Sequence, residues 1–214
     1  MINRTQPYQI KQLIFSGENV MVDFKKTITS CEKIAKTMVS FANNRGGRLL
    51  IGVADDGFVK GVKNEDEEKY MIERAATLFA KPMLEPNFEE VYVDDKLVVV
   101  VTIEQSDMKP HYALGDDKKW WVYVRVNDKS MLASKLVVDV LHQSHKNNGT
   151  LITYTDKEKI LFEYLEMHLK ISLKEFAILL KISRRNAAKI LVPLILSGLL
   201  KVNIEANQEY YLAV

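Results

Sequence analysis

The sequence SRRNAAK, over residues 183–189, places basic side chains at the start of a predicted helix. Its opening serine is typical of a helix N-cap, so Arg184 and Arg185 fall in the first turn and Lys189 follows one turn later. Lys181 lies in the short turn just before this helix. The first residues of a helix that enters the major groove reach base edges and phosphates. These four cations are therefore predicted to contact nucleic acid.

Three predicted helices and a β-hairpin position these cations. The helical stretches are TDKEKILFEYLEMHL, SLKEFAILLKI and SRRNAAKILVPLILSGLL, with Thr155 as the predicted N-cap of the first and Ser183 of the third. Gly198 is suited to end the third helix, whereas Pro193 inside it predicts a shortened or kinked helix. The segment LKVNIEANQEYYLAV predicts a hairpin that turns at EANQ. This is the plan of a winged helix-turn-helix. If that module serves only packing or dimerisation, its arginines are merely solvated.

The preceding part of the chain mixes strand and helix patterns without a regular βαβ repeat. The predicted strands lie in NVMVDFKK, RLLIGVA, FEEVYVDDKLVVVVTIEQ and KWWVYVRVND, and the third of these is a hairpin around Asp94-Asp95. The predicted helices are SCEKIAKTMVSFANN, which ends at Gly46, then DEEKYMIERAATLFAK and SKLVVDVLHQSHK. We therefore expect an α+β, mixed-sheet domain over residues 1–147 and a smaller winged-helix domain over 148–214, joined through the polar segment 145–154.

Length and composition are those of a folded globular chain. The 214 residues are 47% hydrophobic and 27% charged. No apolar run is long enough to span a membrane, and the N-terminus lacks the apolar core of a signal peptide, so a cytoplasmic protein is expected. The net charge of +2 is too small to indicate a nucleic-acid partner by itself. The lone Cys31 excludes an internal disulfide and a zinc knuckle.

A series of short motifs spans residues 17–135. Its stations are Glu18, Asp23-Phe24-Lys25, Phe41-Ala42-Asn43, Gly46-Gly47, Ile51-Gly52-Val53, Asp55-Asp56-Gly57, Gly61, KPHY at 109–112 and VYVRVND at 122–128. The series resembles the Schlafen AlbA-type domain family, and the block from Phe41 to Gly57 is its most specific part. The resemblance implies a DNA-binding domain that bacterial members join to a winged helix for transcription control.

The same resemblance implies an alternative, a metal-dependent nuclease. In some animal relatives three acids form a ribonuclease site, and these acids correspond to Glu18, Asp23 and Asp55 here. Carboxylates hold Mg²⁺ or Mn²⁺ against a phosphodiester and activate water. A continuous strand would put Glu18 and Asp23 on opposite faces, about 16 Å apart. The site therefore requires the chain to bend near Gly17.

This sequence departs from the family pattern at the acids. Asp23 stands where a glutamate is usual, Ala54 where an acid is common, and Asn127 where a glycine is usual. The acids would otherwise cap turns or pair with Lys25 and Lys26.

Further side chains in this region suit nucleic-acid contact. Five cations are expected near the junction of the motifs and form either a phosphate-facing patch or solvated surface: Lys25, Lys26, Arg45, Arg48 and Arg125. Trp120 and Trp121 could stack on bases, but strand alternation places one of them inward, and core packing is the favoured interpretation. His142 and His145 have helical spacing for a metal, but no third ligand is evident.

Other chemistries lack their motifs. The sequence has no GxxxxGK[ST] phosphate loop, so ATP hydrolysis is not expected, and it has no nucleophile elbow. We predict a bacterial transcriptional regulator that binds double-stranded DNA as a homodimer, since two-fold symmetry matches paired half-sites. No cofactor is expected, and Mg²⁺ or Mn²⁺ would serve only the nuclease. A protein interaction module that binds no nucleic acid is the third possibility.

Overall fold

The chain forms two compact units. A computed structural model describes residues 6–144, 155–205 and 208–214. Unit 1 is Met1–Ala133 and unit 2 is Ser134–Val214. The boundary predicted at residues 147–148 lies outside the described residues. The contacts divide the chain earlier, because Leu136 packs among the apolar residues of the C-terminal helices.

Unit 1 is a mixed α+β structure. In chain order its elements are α1 Pro7–Ser16, β1 Val22–Lys25, α2 Cys31–Asn43, β2 Gly47–Ile51, α3 Glu65–Leu78, β3 Ala80–Lys81, β4 Asn87–Val93, β5 Lys96–Ile103, β6 Tyr112–Leu114, β7 Trp120–Val126 and β8 Lys129–Leu132. β1 pairs in parallel with β2, whereas β2, β5 and β4 pair antiparallel, so this sheet is mixed. β3, β6, β7 and β8 form a second, antiparallel sheet. The predicted α+β class with a mixed sheet is confirmed.

The two faces of the first sheet pack against different helices. Leu49 and its neighbours on one face share a core with Met38 of α2 and Ile72 of α3. Leu50, on the opposite face, shares a core with Ile10 of α1. Successive strand residues point to opposite faces, which explains this division. Because α2 also packs against β6 and β7, it lies between the two sheets, and most of its residues are buried.

Glycine is required at both positions after α2 because a side chain there would clash with neighbouring atoms, and at Gly46 also because the backbone is left-handed. Gly46 has φ +78°, the left-handed value expected at this helix end, and a Cβ there would lie 2.8 Å from the carbonyl oxygen of Ile103. A Cβ on Gly47 would lie 2.4 Å from the ring of Phe41. The glycines therefore let β2 turn back closely against the helix that precedes it.

Unit 2 contains the helices and hairpin expected from the sequence. Its elements are α4 Lys135–Gln143, α5 Asp156–His168, α6 Leu173–Leu179, α7 Arg184–Leu196, β9 Leu200–Glu205 and β10 Gln208–Ala213. Leu161, Phe176, Leu191 and Tyr211 meet in its core. β9 and β10 pair antiparallel, and the predicted turn EANQ between them falls partly outside the described residues. Contrary to the expectation, α7 is not shortened at Pro193 and continues to Leu196.

Candidate nucleic-acid interface

The turn between α6 and α7 is a Schellman motif. The Lys181 amide donates to the Ile178 carbonyl at 3.0 Å, and the Ile182 amide donates to the Ala177 carbonyl at 3.0 Å. Lys181 takes the left-handed position of this motif, with φ 52°, where glycine is usual. Ser183 then caps α7, because its Oγ accepts a hydrogen bond of 3.2 Å from the Asn186 amide. The turn thus fixes the direction in which α7 begins.

The cations predicted at the start of α7 lie on its solvent side. Lys181, Arg184, Arg185 and Lys189 are all exposed, and none of them forms an ion pair or a side-chain hydrogen bond with another described residue. The opposite side of α7 is buried in the core of unit 2 through Ala187, Leu191 and Leu194. The helix N-terminus adds partial positive charge to this end. The tip of α7 therefore presents a cationic surface whose charges are not neutralised by the residues of unit 2 that the structure describes.

The predicted acidic site depends on a bend before β1. The chain does bend there: Gly17 has φ 72°, and β1 begins only at Val22. Glu18 Oε1 then accepts a 2.7 Å hydrogen bond from the Phe24 amide. Burial raises the pKa of the Glu18 carboxyl, the Phe24 hydrogen bond opposes this shift, and the charges of Asp23 and Asp55 add to it.

Asp23 is buried and held by a cation. Its Oδ1 accepts a 2.8 Å hydrogen bond from the Arg125 guanidinium, and the side chains of both residues are almost fully buried. Arg125 also donates to the carbonyls of Asn19 and Val22, each at 3.2 Å, and its guanidinium lies 4.9 Å from the centre of the Phe41 ring. The Asp23–Arg125 pair therefore ties β7 to β1 and to the bend before it.

The second Asp23 oxygen is also next to a cation. Lys25 Nζ lies 2.6 Å from Oδ2, but Oδ2 has no hydrogen bond of acceptable angle from any described group. Lys25 instead donates to the Phe24 carbonyl at 2.7 Å. The carboxylate of Asp23 is thus neutralised from both sides by protein cations.

This arrangement does not fit a metal site. Among the described residues, no group of three His, Cys, Asp or Glu side chains is placed to hold a metal ion. Asp55 is exposed in the turn that joins Val53 to Val59, and Asp23 is engaged with Arg125. A divalent ion at Asp23 would have to displace the buried Arg125 guanidinium from Oδ1 or the Lys25 ammonium from beside Oδ2. Glu18, Asp23 and Asp55 are therefore not arranged to hold a metal ion together.

The five cations predicted as a patch in unit 1 are not equivalent. Lys26 and Arg45 are exposed, and Lys25 and Arg48 are half-buried. Arg125 is buried, so its prediction as a phosphate contact is wrong: its donors are used within unit 1. Arg45 lines an open cavity of about 610 Å³ together with Glu18, Asn19, Val20, Met21, Asn44, Asn127 and Asp128.

Asn43 is a structural residue whose role the sequence did not reveal. Its side-chain amide donates to the carbonyls of His111 and Tyr123, both at 2.9 Å, and its Oδ1 accepts from the His111 amide at 2.7 Å. It therefore joins the end of α2 to β7 and to the chain beside β6. The sequence signal for this role was the position of Asn43 in the Phe41-Ala42-Asn43 motif. In this structure the motif residue joins elements by hydrogen bonds and does not form part of a catalytic site.

The tryptophans differ from the prediction. Both are exposed, Trp120 at 41% and Trp121 at 37%, rather than one of them facing inward. They open β7, where the strand projects past its pairing with β8, which begins at Tyr123.

His142 lies on α4, and its proposed companion His145 is outside the described residues. None of the helices in the described ranges is long and apolar enough to cross a membrane.

Comparison with known proteins identifies the family. The sequence profile of the family described as Schlafen, AlbA_2 matches residues 18–134, more than half of the chain, so the chain belongs to this family. This confirms the resemblance found in the sequence. No curated protein matches the chain.

Two solved structures are similar at low identity. One is the solution NMR structure of the N-terminal domain of a Nitrosomonas europaea protein described as related to the ATP-dependent DNA helicase RecG. It has 19% identity and a TM-score of 0.45, and the match covers 61% of this chain and 94% of that one. The other is the crystal structure of the DIP2311 protein from Corynebacterium diphtheriae, with 12% identity and a TM-score of 0.46. That match covers 96% of this chain and 38% of that one.

Proposed function

We propose that the protein binds nucleic acid, with double-stranded DNA as its partner, through the exposed start of α7. In this proposal unit 2 is a winged helix-turn-helix, α7 is its recognition helix and the β9–β10 hairpin is its wing. The observation that carries the proposal is the set of exposed, unpaired cations in the first turns of a helix whose other side is fixed in a core.

The dimensions of α7 suit a major groove. An α-helix with its side chains is about 10–12 Å in diameter, and the major groove of B-DNA is about 12 Å wide. With a rise of about 1.5 Å per residue, a helix of this length extends about 20 Å along the groove. Arg184 and Arg185 come first along this helix and are assigned to base edges or phosphates, because a guanidinium binds either in a bidentate manner. Lys181 and Lys189 are assigned to phosphates as point charges.

The family supports the same class of function. The AlbA-type resemblance implies DNA binding for unit 1, and a DNA-binding unit 1 joined to a winged helix is the organisation of a bacterial transcriptional regulator. We therefore propose this role in the cytoplasm, with no metal or other cofactor. A homodimer would place two α7 helices on paired half-sites. In light scattering, a dimer would show twice the monomer mass of 24.6 kDa.

A matched pair of double variants tests the assignment to α7. Arg184→Ala with Arg185→Ala removes two charges at the proposed interface. Lys157→Ala with Lys159→Ala removes two exposed charges from α5 in the same unit. Fluorescence anisotropy with a labelled DNA duplex should show affinity reduced at least about 30-fold by the arginine pair, since each contact contributes about 1–3 kcal/mol. The lysine pair should change it little.

Two results would contradict the proposal. Equal loss in both double variants would show that only net charge matters, and not the α7 tip. Absence of any binding by the wild-type protein at low salt would favour the protein interaction module instead.

A further inference from the structure

Two consecutive tryptophans are exposed on the surface of unit 1. Trp120 and Trp121 are the only tryptophans of the chain and are 41% and 37% exposed. They face Leu114 and Ala113 at the end of the β6–β7 pairing. Neighbouring strand residues point to opposite faces. Both rings nevertheless reach solvent, because they lie where the second sheet ends.

The Trp121 ring is held in place by the turn that precedes it. Its Nε1 donates to Asp117 Oδ1 at 3.1 Å and to Oδ2 at 3.2 Å. The ring also lies against Gly115, where a Cβ would come within 2.9 Å of it. The indole hydrogen bond is the main reason that the pKa of Asp117 is lowered. The ring is therefore exposed and oriented at the same time, which reduces the entropy that binding would cost.

Charged side chains of both signs lie around the pair. Asp117 is engaged with Trp121 and with the Lys119 amide, and Asp116 lies 3.6 Å from Lys36. Lys118 and Lys119 are exposed, and their side chains make no hydrogen bond or ion pair within the described residues. Lys118 interacts electrostatically with Glu32 and Lys119 with Asp117, and both ammonium groups remain exposed in the turn that leads to the indole rings.

We infer that Trp120, Trp121, Lys118 and Lys119 form a binding surface for single-stranded nucleic acid, with bases on the indole rings and phosphates on the lysines. Unpaired bases expose their faces for stacking, whereas the bases of a duplex stack on each other. The inference extends the proposed nucleic-acid function to a second surface, distinct from the α7 tip in residues and in the form of nucleic acid. Because stacking and phosphate contacts do not involve the hydrogen-bonding edges of the bases, the surface should bind single strands of different nucleotide sequence.

The tryptophans themselves report on the test. Because the chain has no others, its intrinsic indole fluorescence comes from this surface alone. Titration with a thymidine oligonucleotide, and separately with a uridine oligonucleotide, should quench this fluorescence to saturation. A hairpin duplex should quench it much less. Comparison of the thymidine and uridine arms shows whether DNA or RNA is preferred.

Substitutions then assign the contacts. Trp120→Ala or Trp121→Ala should weaken single-strand binding, measured by anisotropy, between about 5-fold and 150-fold. Trp→Phe at either position should weaken it less, because an aromatic face remains. Phe15→Ala, which removes an aromatic side chain that is 95% exposed elsewhere in unit 1, is the control and should have no effect. Lys118→Gly with Lys119→Ala should reduce the slope of log K against log salt by about 1.4.

Several outcomes would overturn the inference. These are absence of quenching by either oligonucleotide, equal quenching by the duplex, or unchanged affinity in both Trp→Ala variants that retain a native circular dichroism spectrum. If those variants do not fold, the Lys118→Gly, Lys119→Ala protein decides, because a salt slope equal to that of the wild-type protein would overturn the inference. The Arg184→Ala, Arg185→Ala protein separates the two proposals: it should lose duplex binding but keep the fluorescence quenching by single strands.

Discussion

Removing the Arg125 side chain should destabilise unit 1 strongly. Arg125→Met keeps much of the side-chain volume but leaves Asp23, which is 4% exposed, without its 2.8 Å partner. It also leaves the carbonyls of Asn19 and Val22 without their donor. Breaking a buried ion pair by removing one partner costs about 3–5 kcal/mol, and we expect the lower end of this range because Lys25 stays beside Asp23 Oδ2. Since a typical domain is stable by about 5–15 kcal/mol, the loss would be about a fifth of the stability or more.

Urea unfolding followed by tryptophan fluorescence measures this loss in unit 1 alone, because both tryptophans lie there. With an m value of about 2 kcal/mol per M, the midpoint should fall by about 1.5 M. Arg125→Lys should be intermediate, since it restores the charge but not the planar set of donors. Asp23→Val combined with Arg125→Met removes both charges. Its cost should be smaller than the sum of the two single costs by about 2 kcal/mol.

A loss below about 1 kcal/mol in Arg125→Met, or additive effects of the two substitutions, would refute the interpretation of Asp23 and Arg125 as a buried pair that holds β1 to β7.

Further substitutions test other parts of the structure. Gly46→Ala should destabilise unit 1 by at least about 1–3 kcal/mol more than Gly17→Ala in urea unfolding, because both glycines have positive φ but only Gly46 lies within 3 Å of backbone among the described atoms. Lys181→Gly should raise the melting temperature of unit 2 in calorimetry, because a non-glycine residue in the left-handed region costs roughly 1 kcal/mol, yet it should weaken duplex binding. Glu18→Gln should stabilise unit 1 at neutral pH. The raised pKa means that the folded state favours the protonated Glu18 carboxyl. The contribution of Glu18 to the stability of unit 1 is therefore full at low pH and is lost as pH rises through the raised pKa. Melting curves recorded across that pH range should show this dependence in the wild-type protein and not in the variant. Asn43→Asp should cost about 2–4 kcal/mol in the same unfolding assay, because it replaces a donor to two carbonyls with an acceptor.

Much of unit 2 could be predicted because its local signals agree. Thr155 and Ser183 each accept a hydrogen bond from the first turn of the helix that follows, as their positions before apolar repeats indicated. Gly198 ends α7 with φ 77°, the expected left-handed value. The cations of α7 were predictable for the same reason, since the N-cap fixes which residues occupy the first turn.

Unit 1 was harder to predict where long-range contacts decide the structure. α1 buries Ile10 but leaves Phe15 exposed, so its periodicity is too weak to indicate a helix. β3, β6 and β8 are only two, three and four residues long, and pairing rather than pattern defines them. Arg125 was expected on the surface because of its charge. Its position in the apolar strand VYVRV, together with an acid in the apolar strand VMVDF, was the signal for a buried pair.

The alternation rule failed at the tryptophans for a physical reason. Alternation predicts which side chains of a strand face a core, but only over the length that other elements cover. Trp120 and Trp121 lie at the first residues of β7, beyond its pairing with β8. The burial of side chains at the end of a strand therefore depends on which elements cover that end, and the sequence of the strand does not contain this information.

The salt dependence of duplex binding tests the central claim most directly. If the four exposed cations of the α7 tip each neutralise a phosphate, log K should fall against log salt with a slope of about −3.5 for the wild-type protein. The Arg184→Ala, Arg185→Ala protein should show a slope smaller in magnitude by about 1.8. Identical slopes for the two proteins would contradict the claim that nucleic acid is bound at the start of α7.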